Sequence, residues 1–512
     1  MSVISGGQTP SPSKARNSAY LVAANTLTLL TQLLTIPLLI KWLGSAGYGG
    51  YVLVFSIANF ILLASPNVLQ ASQKRITEAF AAGNSALAWR IQQTQLAICS
   101  TVAILGCAAF FAAGPFIHSP DVALKSSTLA KMFAVAGVAY LFNLLNASLV
   151  SILAALERFK QLAIRQSVER VVGVLMSLLF AYLWRSPVGI FAGLAIGGCV
   201  GFFYNLITLK RGQKDFVLRP KFDRPIAKDL FGLFFKGYPH RLLNGLGSSA
   251  DRMVMPYGGV SLSQVADYGV AYRIPEAING LLIPITDTVV PDLTRKASAD
   301  PKEFGQSLSR QALTCLALSS CLILVPCSFG GPLLPILLHK YPENGNLAMY
   351  FIAFYFVFQF YFALLSKPFY ALGNLQYIAP FSGFNALATI IFTIPAYHWM
   401  GIAGVAIMNA IISAIQFVPY IFQVHRHASS YFEVGSHLNR ALTILGIAVG
   451  VSLGGLFVSN MAWAHKTPSV MLLFAPTTAL ATLWFIVKMG LIQLPASISQ
   501  RLRLSPSTKG AN

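Results

Sequence analysis

Eleven separate stretches of more than 20 residues in this 512-residue chain contain no Asp, Glu, Lys, Arg or His: 17–40, 42–73, 91–117, 132–156, 186–209, 311–338, 344–366, 368–397, 399–424, 441–464 and 467–487. A helix rises about 1.5 Å per residue, so ~20 apolar residues cross a hydrocarbon core, and each of these runs is long enough. Three more spans are expected where charges interrupt the apolar pattern, at 165–184, 238–258 and 266–292, giving fourteen. The expected fold class is therefore an all-α polytopic membrane protein with 14 transmembrane helices. Only 10% of residues are charged and 55% are hydrophobic, which excludes a water-soluble enzyme, where about a quarter carry charge. Pro is tolerated in membrane helices because neighbouring helices satisfy the freed backbone groups, so Pro37, Pro66, Pro256, Pro275, Pro284, Pro326, Pro368, Pro395 and Pro419 read as kinks.

Lys and Arg accumulate in short cytoplasmic loops. With the N-terminus inside, the inside segments carry 28 Lys and Arg and the outside segments five, so both termini are expected in the cytoplasm. Topology thus accounts for most of the net charge of +21, and a nucleic-acid partner is not needed to explain it. The first apolar run is too long for a signal-peptide core and lacks a small-residue cleavage pattern, so it is expected to remain as span 1. Cys99, Cys107, Cys199, Cys315, Cys321 and Cys327 all fall inside expected spans. They offer neither a disulfide framework nor zinc spacing and read as small apolar fillers.

No expected outward loop exceeds about 16 residues; the longest, near Gly114 to Thr128, holds His118 and Asp121 and is too short to house a catalytic domain. The one long polar segment, 210–236, reads as a cytoplasmic linker. Three sequence matches support division into halves: Tyr20 with Tyr238 at an offset of 218, Tyr51 with Tyr268 at 217, and Leu156 with Leu372 at 216. Six spans separate the copies, so the halves would share one orientation and be related by a pseudo-two-fold axis along the membrane normal. The expected organisation is a tail over 1–16, a six-helix bundle over 17–209, the linker over 210–236, a second six-helix bundle over 237–424, helices 13 and 14 over 425–490, and a cytoplasmic tail over 491–512.

NSAYLVAANTLTLLTQ leading to KWLGSAGYGGY at 17–51, SADRMVMPYGGVSLSQVADYGVAYRI at 249–274 and YALGNLQ at 370–376 resemble the polysaccharide flippases of the O-antigen, Wzx-like type, within the superfamily that includes the multidrug exporters. The resemblance implies a bacterial inner-membrane transporter, not an enzyme and without a cofactor. Its substrate would be a polyprenyl-pyrophosphate-linked oligosaccharide for O-antigen, capsule or exopolysaccharide biosynthesis. Two bundles would rock about a central cavity open alternately to either side, with a polymerase and a chain-length regulator as possible protein partners. Two relatives remain as alternatives. Lipid II flippases carry basic residues in their first two helices, and cation-coupled drug exporters often place an acid in the first, whereas 17–40 and 42–73 are uncharged here.

Charge inside a bilayer costs about 2.5–3.5 kcal/mol at a helix centre on insertion scales, so such residues should face water or a partner. The expected spans hold Lys131, Glu169, Arg170, Asp251, Arg252, Asp267, Arg273, Glu276 and Asp287. Arg suits a pyrophosphate because its planar fork donates two hydrogen bonds at once. Arg170, Arg252 and Arg273, with Lys131, are the candidate substrate cations, expected to meet in a wet cavity. Asp287, Glu276, Asp251 and Glu169 are the candidate coupling carboxylates. Asp287 stands out in the apolar setting IPITDTVVP, whereas Glu276 has Arg273 three positions before it on the same helix face. The competing reading is that Asp251, Arg252, Arg273 and Glu276 only dock helices as ion pairs. Lys131 and Asp267 would then snorkel to the interface, and Glu169 and Arg170 would sit at a solvated mouth. The run YFIAFYFVFQFYF at 350–362 places Tyr355, Gln359 and Tyr361 as possible sugar contacts, against a packing or lipid-facing role. The glycines of LGSAGYGG read as a tight outward turn, and no Walker-type phosphate loop occurs.

Overall fold

A computed structural model describes residues 12–65, 68–116, 121, 124–156, 158–213, 216–340, 342–372, 374–461 and 468–492. Among these residues the secondary structure is entirely helical, in two compact units, Met1–Lys236 and Gly237–Asn512.

The first unit opens with α1 (Pro12–Ala64). At 53 residues it would run ~80 Å if straight, far more than one span. It breaks at Gly44, whose φ of 72° an L side chain rarely adopts. This is the turn expected within LGSAGYGG. The second span ends at Ala64, short of residue 73, because α2 (Leu69–Ala81) is a separate amphipathic helix. It buries Ser72, Ile76 and Ala79 and exposes Gln73, Lys74, Thr77 and Glu78, a 3.6-residue period that an uncharged-run count does not detect. Then follow α3 (Ser85–Ala113), capped by the Asn84 side chain on the Leu87 N–H at 3.0 Å, α4 (Ser126–Ala155), α5 (Phe159–Trp184) and α6 (Val188–Gly212).

The expected linker over 210–236 is largely helix. α6 continues to Gly212, and α7 (Arg224–Gly247) starts at residue 224 and runs into the second unit. Ala227, Leu230 and Phe234 are buried on one face of it, a helical stripe hidden in the sequence by the surrounding charge. Asp229 accepts from both Arg75 Nε and Nη2 at 2.7 Å, and Arg90 pairs with Asp223 at 2.5 Å. The hydrogen bond from Arg90 holds the Asp223 carboxyl below its ordinary pKa.

The second unit continues with α8 (Ala250–Tyr257), α9 (Leu262–Ala299), α10 (Pro301–Ser319), a π turn over Ser320–Leu324, α11 (Val325–Ser328) and α12 (Leu333–Leu338). After these come α13 (Gly345–Leu372), α14 (Ala379–His427), α15 (Val434–Ser459) and α16 (Pro468–Lys488). The apolar run 311–338 misplaces its helix. The helix starts at Pro301, where the Asp300 side chain caps the N–H groups of Lys302 and Glu303, and leaves residues 333–338 as a separate turn-and-a-half. α14 breaks at Met400 and Gly401, the latter with φ 60°.

Among the described residues, nine helices are long and apolar enough to cross a membrane, against the fourteen expected. Part of the shortfall is merging, since the 49 residues of α14 span ~75 Å and contain the expected span 399–424 and most of 368–397 about one break. The expected spans at 238–258 and 266–292 fall on α7–α9, and none of these three helices is among the nine. Pro66 lies outside the described residues. Pro37, Pro256, Pro368, Pro395 and Pro419 lie inside helices, with Pro239 and Pro476 in addition.

The aromatic run of α13 is packing surface. Tyr355, Phe356, Phe358, Phe360, Tyr361 and Phe362 are buried, with Phe356 edge-on to Tyr272 and Tyr361 against Phe417. The Tyr361 hydroxyl meets His437 Nε2 at 2.5 Å, while Ser309 Oγ meets Nδ1 at 2.7 Å, so a fully buried histidine has both nitrogens satisfied. All six cysteines are free thiols, four of them buried.

Candidate functional site

In the first unit four helices enclose a cavity of about 270 Å³. α1 presents Phe55, Asn59 and Leu62 at helical spacing, and α4 presents Ala136, Tyr140 and Asn143. α5 supplies Glu169, Arg170 and Gly173, and α6 supplies Phe191, Leu194 and Gly198. Small residues make the room, and amide, phenol and guanidinium groups give it polarity. Arg170, a candidate substrate cation, is therefore on the cavity wall and half-buried.

Its neighbour Glu169 is already engaged. Arg165, one turn earlier, pairs with Glu169 Oε2, and Asn146 Nδ2 donates to the same oxygen at 2.8 Å. Asn205 Nδ2 in turn donates to Asn146 Oδ1.

A glycine stripe sets this geometry. Gly189, Gly193, Gly197 and Gly201 recur every four residues on α6 and face α5, as small residues do where membrane helices pack closely. A Cβ built on Gly197 would lie 2.7 Å from the Glu169 carbonyl oxygen and 2.8 Å from Gly173 Cα, and one on Gly201 would lie 2.6 Å from Glu169 Oε2. The period is legible in the sequence once glycines are counted as a face rather than as turn formers. Asn59, Asn143 and Asn146 are also functional candidates that a search for charges passes over.

The charges of the second unit form a different kind of site. Asp251 and Arg252 are 2% and 7% exposed. Asp251 Oδ2 accepts from the Tyr268 hydroxyl at 2.6 Å and from Asn409 Nδ2 at 3.0 Å, and Oδ1 accepts from the Arg252 backbone N–H at 2.7 Å. The Arg252 guanidinium stacks 3.9 Å over the Tyr272 ring, donates to the Ser248 carbonyl, and stands 3.4 Å from Asp251 Oδ1 through Nε. Carboxylate, guanidinium, phenols and amide thus join α8, α9 and α14, with the Arg buried among them although its Nε makes no hydrogen bond. Arg273 pairs with Glu276 at 2.9 Å within α9, as their spacing predicts.

Lys131 is exposed near the start of α4 and does not line the cavity. Asp267, expected to snorkel, is instead 6% exposed and receives Lys340 Nζ at 2.8 Å. The partner comes from the stretch between α12 and α13, 73 residues away, so sequence proximity gave no hint of it. Asp287 lies on α9, but its side chain falls outside the described residues. Among the described residues no cluster of His, Cys, Asp and Glu has metal-binding geometry.

The first unit's bundle and the second unit's helices have known structural counterparts. A structure described as "Lipid II flippase MurJ, inward closed conformation" superposes with a TM-score of 0.67 at 13% identity, covering 96% of this chain and 100% of that one. Inward-facing and outward-facing structures of a multidrug resistance MATE family transporter of the MOP superfamily give 0.61 and 0.62, at 14% and 15% identity. They cover 80% and 81% of this chain and 98% and 95% of theirs. At such identities the likeness establishes the fold alone. No curated protein matches the chain. A family model described as "Polysaccharide biosynthesis protein" matches residues 15–296, more than half of the chain and a range containing every candidate charge named above. The chain is a multi-pass membrane protein that belongs to this polysaccharide biosynthesis family and has the fold of the MOP-superfamily transporters.

Proposed function

We propose that the protein is a flippase that moves a polyprenyl-pyrophosphate-linked oligosaccharide across the bacterial inner membrane for surface polysaccharide synthesis, by alternating access and without a catalytic step. The observation that carries this reading is the first-unit cavity, where Arg170 shares a wall with Asn59, Tyr140 and Asn143. A guanidinium recognises a phosphate, and amide and phenol groups exchange hydrogen bonds with sugar hydroxyls. About 270 Å³ is below the ~300–1,000 Å³ of drug-sized sites, so in this conformation the cavity has room for one anionic group or sugar ring rather than a whole glycan. We assign Arg170 to substrate and Asp251–Arg252 to docking α8 on α9 and α14. Both termini are placed in the cytoplasm by the Lys and Arg distribution, with fourteen spans in two repeat-related halves plus a C-terminal pair. A polysaccharide polymerase and a chain-length regulator are the expected protein partners.

The reading is tested in proteoliposomes with a fluorescent polyprenyl-pyrophosphate oligosaccharide. A charge-assisted hydrogen bond is worth about 1.5–3 kcal/mol, so Arg170→Gln should slow translocation roughly ten- to hundredfold, with partial recovery in Arg170→Lys. Wild-type rates in Arg170→Gln would refute the assignment. The lipid II alternative gains from the MurJ likeness extending over 96% of the chain, against 80% for the inward-facing MATE structure. Supplying lipid II in the same vesicles separates the two. Export of amphipathic cations is disfavoured because Glu169, the acid on the cavity wall, is already paired with Arg165.

A further inference from the structure

We propose that the second unit carries a phosphate-binding site for an anionic lipid headgroup, where α10, the start of α15 and the chain leaving α16 enclose a cavity of about 280 Å³. The site is separate from the first-unit cavity and does not depend on the substrate assigned there. α10 contributes Gln306 and Arg310 at helical spacing, and α15 contributes Ser436 and Arg440 in the same way. Neither guanidinium takes part in an ion pair among the described residues, and both are exposed. Two guanidiniums without an ion pair among the described residues, on neighbouring helices and lining one cavity, supply the donors a phosphate needs. α15 starts without a side-chain cap, so the N–H groups of its first turn add positive potential at the same place. Glu433 is the single carboxylate in the lining, leaving it net positive.

The side chains around the cavity favour a lipid over a soluble phosphate. On α16, Lys488 Nζ lies 4.7 Å over the Trp484 ring, a pairing typical of the membrane–water boundary. Phe485 and Met489 beside it are 47% and 53% exposed, and Leu442, two residues past Arg440, is 53% exposed. Apolar side chains that face outward next to the cavity place its mouth at the level where headgroup phosphates lie. Leu313, Leu491 and Ile492 add apolar lining.

Native mass spectrometry of the full chain in detergent, titrated with phosphatidylglycerol and, separately, phosphatidylcholine, tests this. Each basic residue near a membrane surface contributes about a fivefold preference for anionic lipid, so Arg310→Gln with Arg440→Gln should weaken phosphatidylglycerol retention roughly 25-fold and leave phosphatidylcholine unchanged. Glu433→Gln should tighten it, and the double Lys variant should restore part of it. Should the double Gln variant fail to fold, Ser436→Glu at an exposed position supplies the same readout by repulsion. Unchanged phosphatidylglycerol retention in either folded variant overturns the site. Displacement of the lipid by millimolar inorganic phosphate overturns the lipid assignment in favour of a soluble anion.

Discussion

Replacing Asp251 by Ala removes the acceptor of two buried side-chain hydrogen bonds, from Tyr268 at 2.6 Å and Asn409 at 3.0 Å, besides that of the Arg252 backbone N–H. Hydrogen bonds to a charged group contribute about 1.5–3 kcal/mol each, which puts the loss near 3–6 kcal/mol. A second route gives the same size. Removing one member of a buried ion pair costs about 3–5 kcal/mol because the other charge loses its nearest compensation, and Arg252 would keep the Ser248 carbonyl and the Tyr272 ring but no adjacent carboxylate. At about 2–4 °C per kcal/mol for a unit of this size, the melting temperature of the purified protein in a fixed detergent should fall on the order of 10 °C. The assay is a double-mutant cycle of Asp251→Ala, Arg252→Met and their combination. A docking pair predicts that the double variant is less destabilised than the two singles together, by about 1–3 kcal/mol, and still translocates. A melting temperature for Asp251→Ala within about 2 °C of the parent, or strict additivity, refutes the reasoning and returns Arg252 to the list of substrate cations.

Gly197→Leu should separate α5 from α6 and lower both transport and the melting temperature, since even a Cβ there falls 2.7 Å from the Glu169 carbonyl oxygen; parent-like behaviour in both assays argues against the glycine stripe. Lys340→Ala should destabilise by about 1–3 kcal/mol by stranding Asp267, and Asp267→Asn in that background should recover most of it, as read by thermal denaturation. The Asp223 carboxyl is held below its ordinary value, so the Arg90 clasp is complete above the unfolded pKa of about 3.9 and is lost only as pH falls through the lower folded value. Fluorescence from Trp89, packed against Phe80 and Phe216 next to Arg90, should therefore be flat from about pH 7.5 to 5 in a variant retaining only that tryptophan. A transition inside that range contradicts the assignment.

The sequence by itself determined the class of molecule. Length of apolar run, scarcity of charge and the Lys and Arg distribution are properties of the chain read against a fixed bilayer thickness, and they need no partner to be evaluated. Local contacts were legible for the same reason: Arg273 and Glu276 are three residues apart on a helix and meet as that spacing requires. Helix ends were less legible, because a cap such as Asp300 or a stripe such as Ala227, Leu230 and Phe234 carries a helix through polar sequence.

Only the tertiary structure decided which partners the described buried charges meet. Asp251 meets Asn409 across 158 residues and Asp267 meets Lys340 across 73, and nothing in either neighbourhood names the partner. Arg170 and Arg252 are equivalent as letters in an apolar run, yet one lines a cavity and the other is stacked on Tyr272. The difference comes from helix packing. Close approach at a glycine stripe or at an α8–α9–α14 junction fixes which polar groups fall within hydrogen-bond reach, and in a low-dielectric interior that reach decides which partners a charge takes.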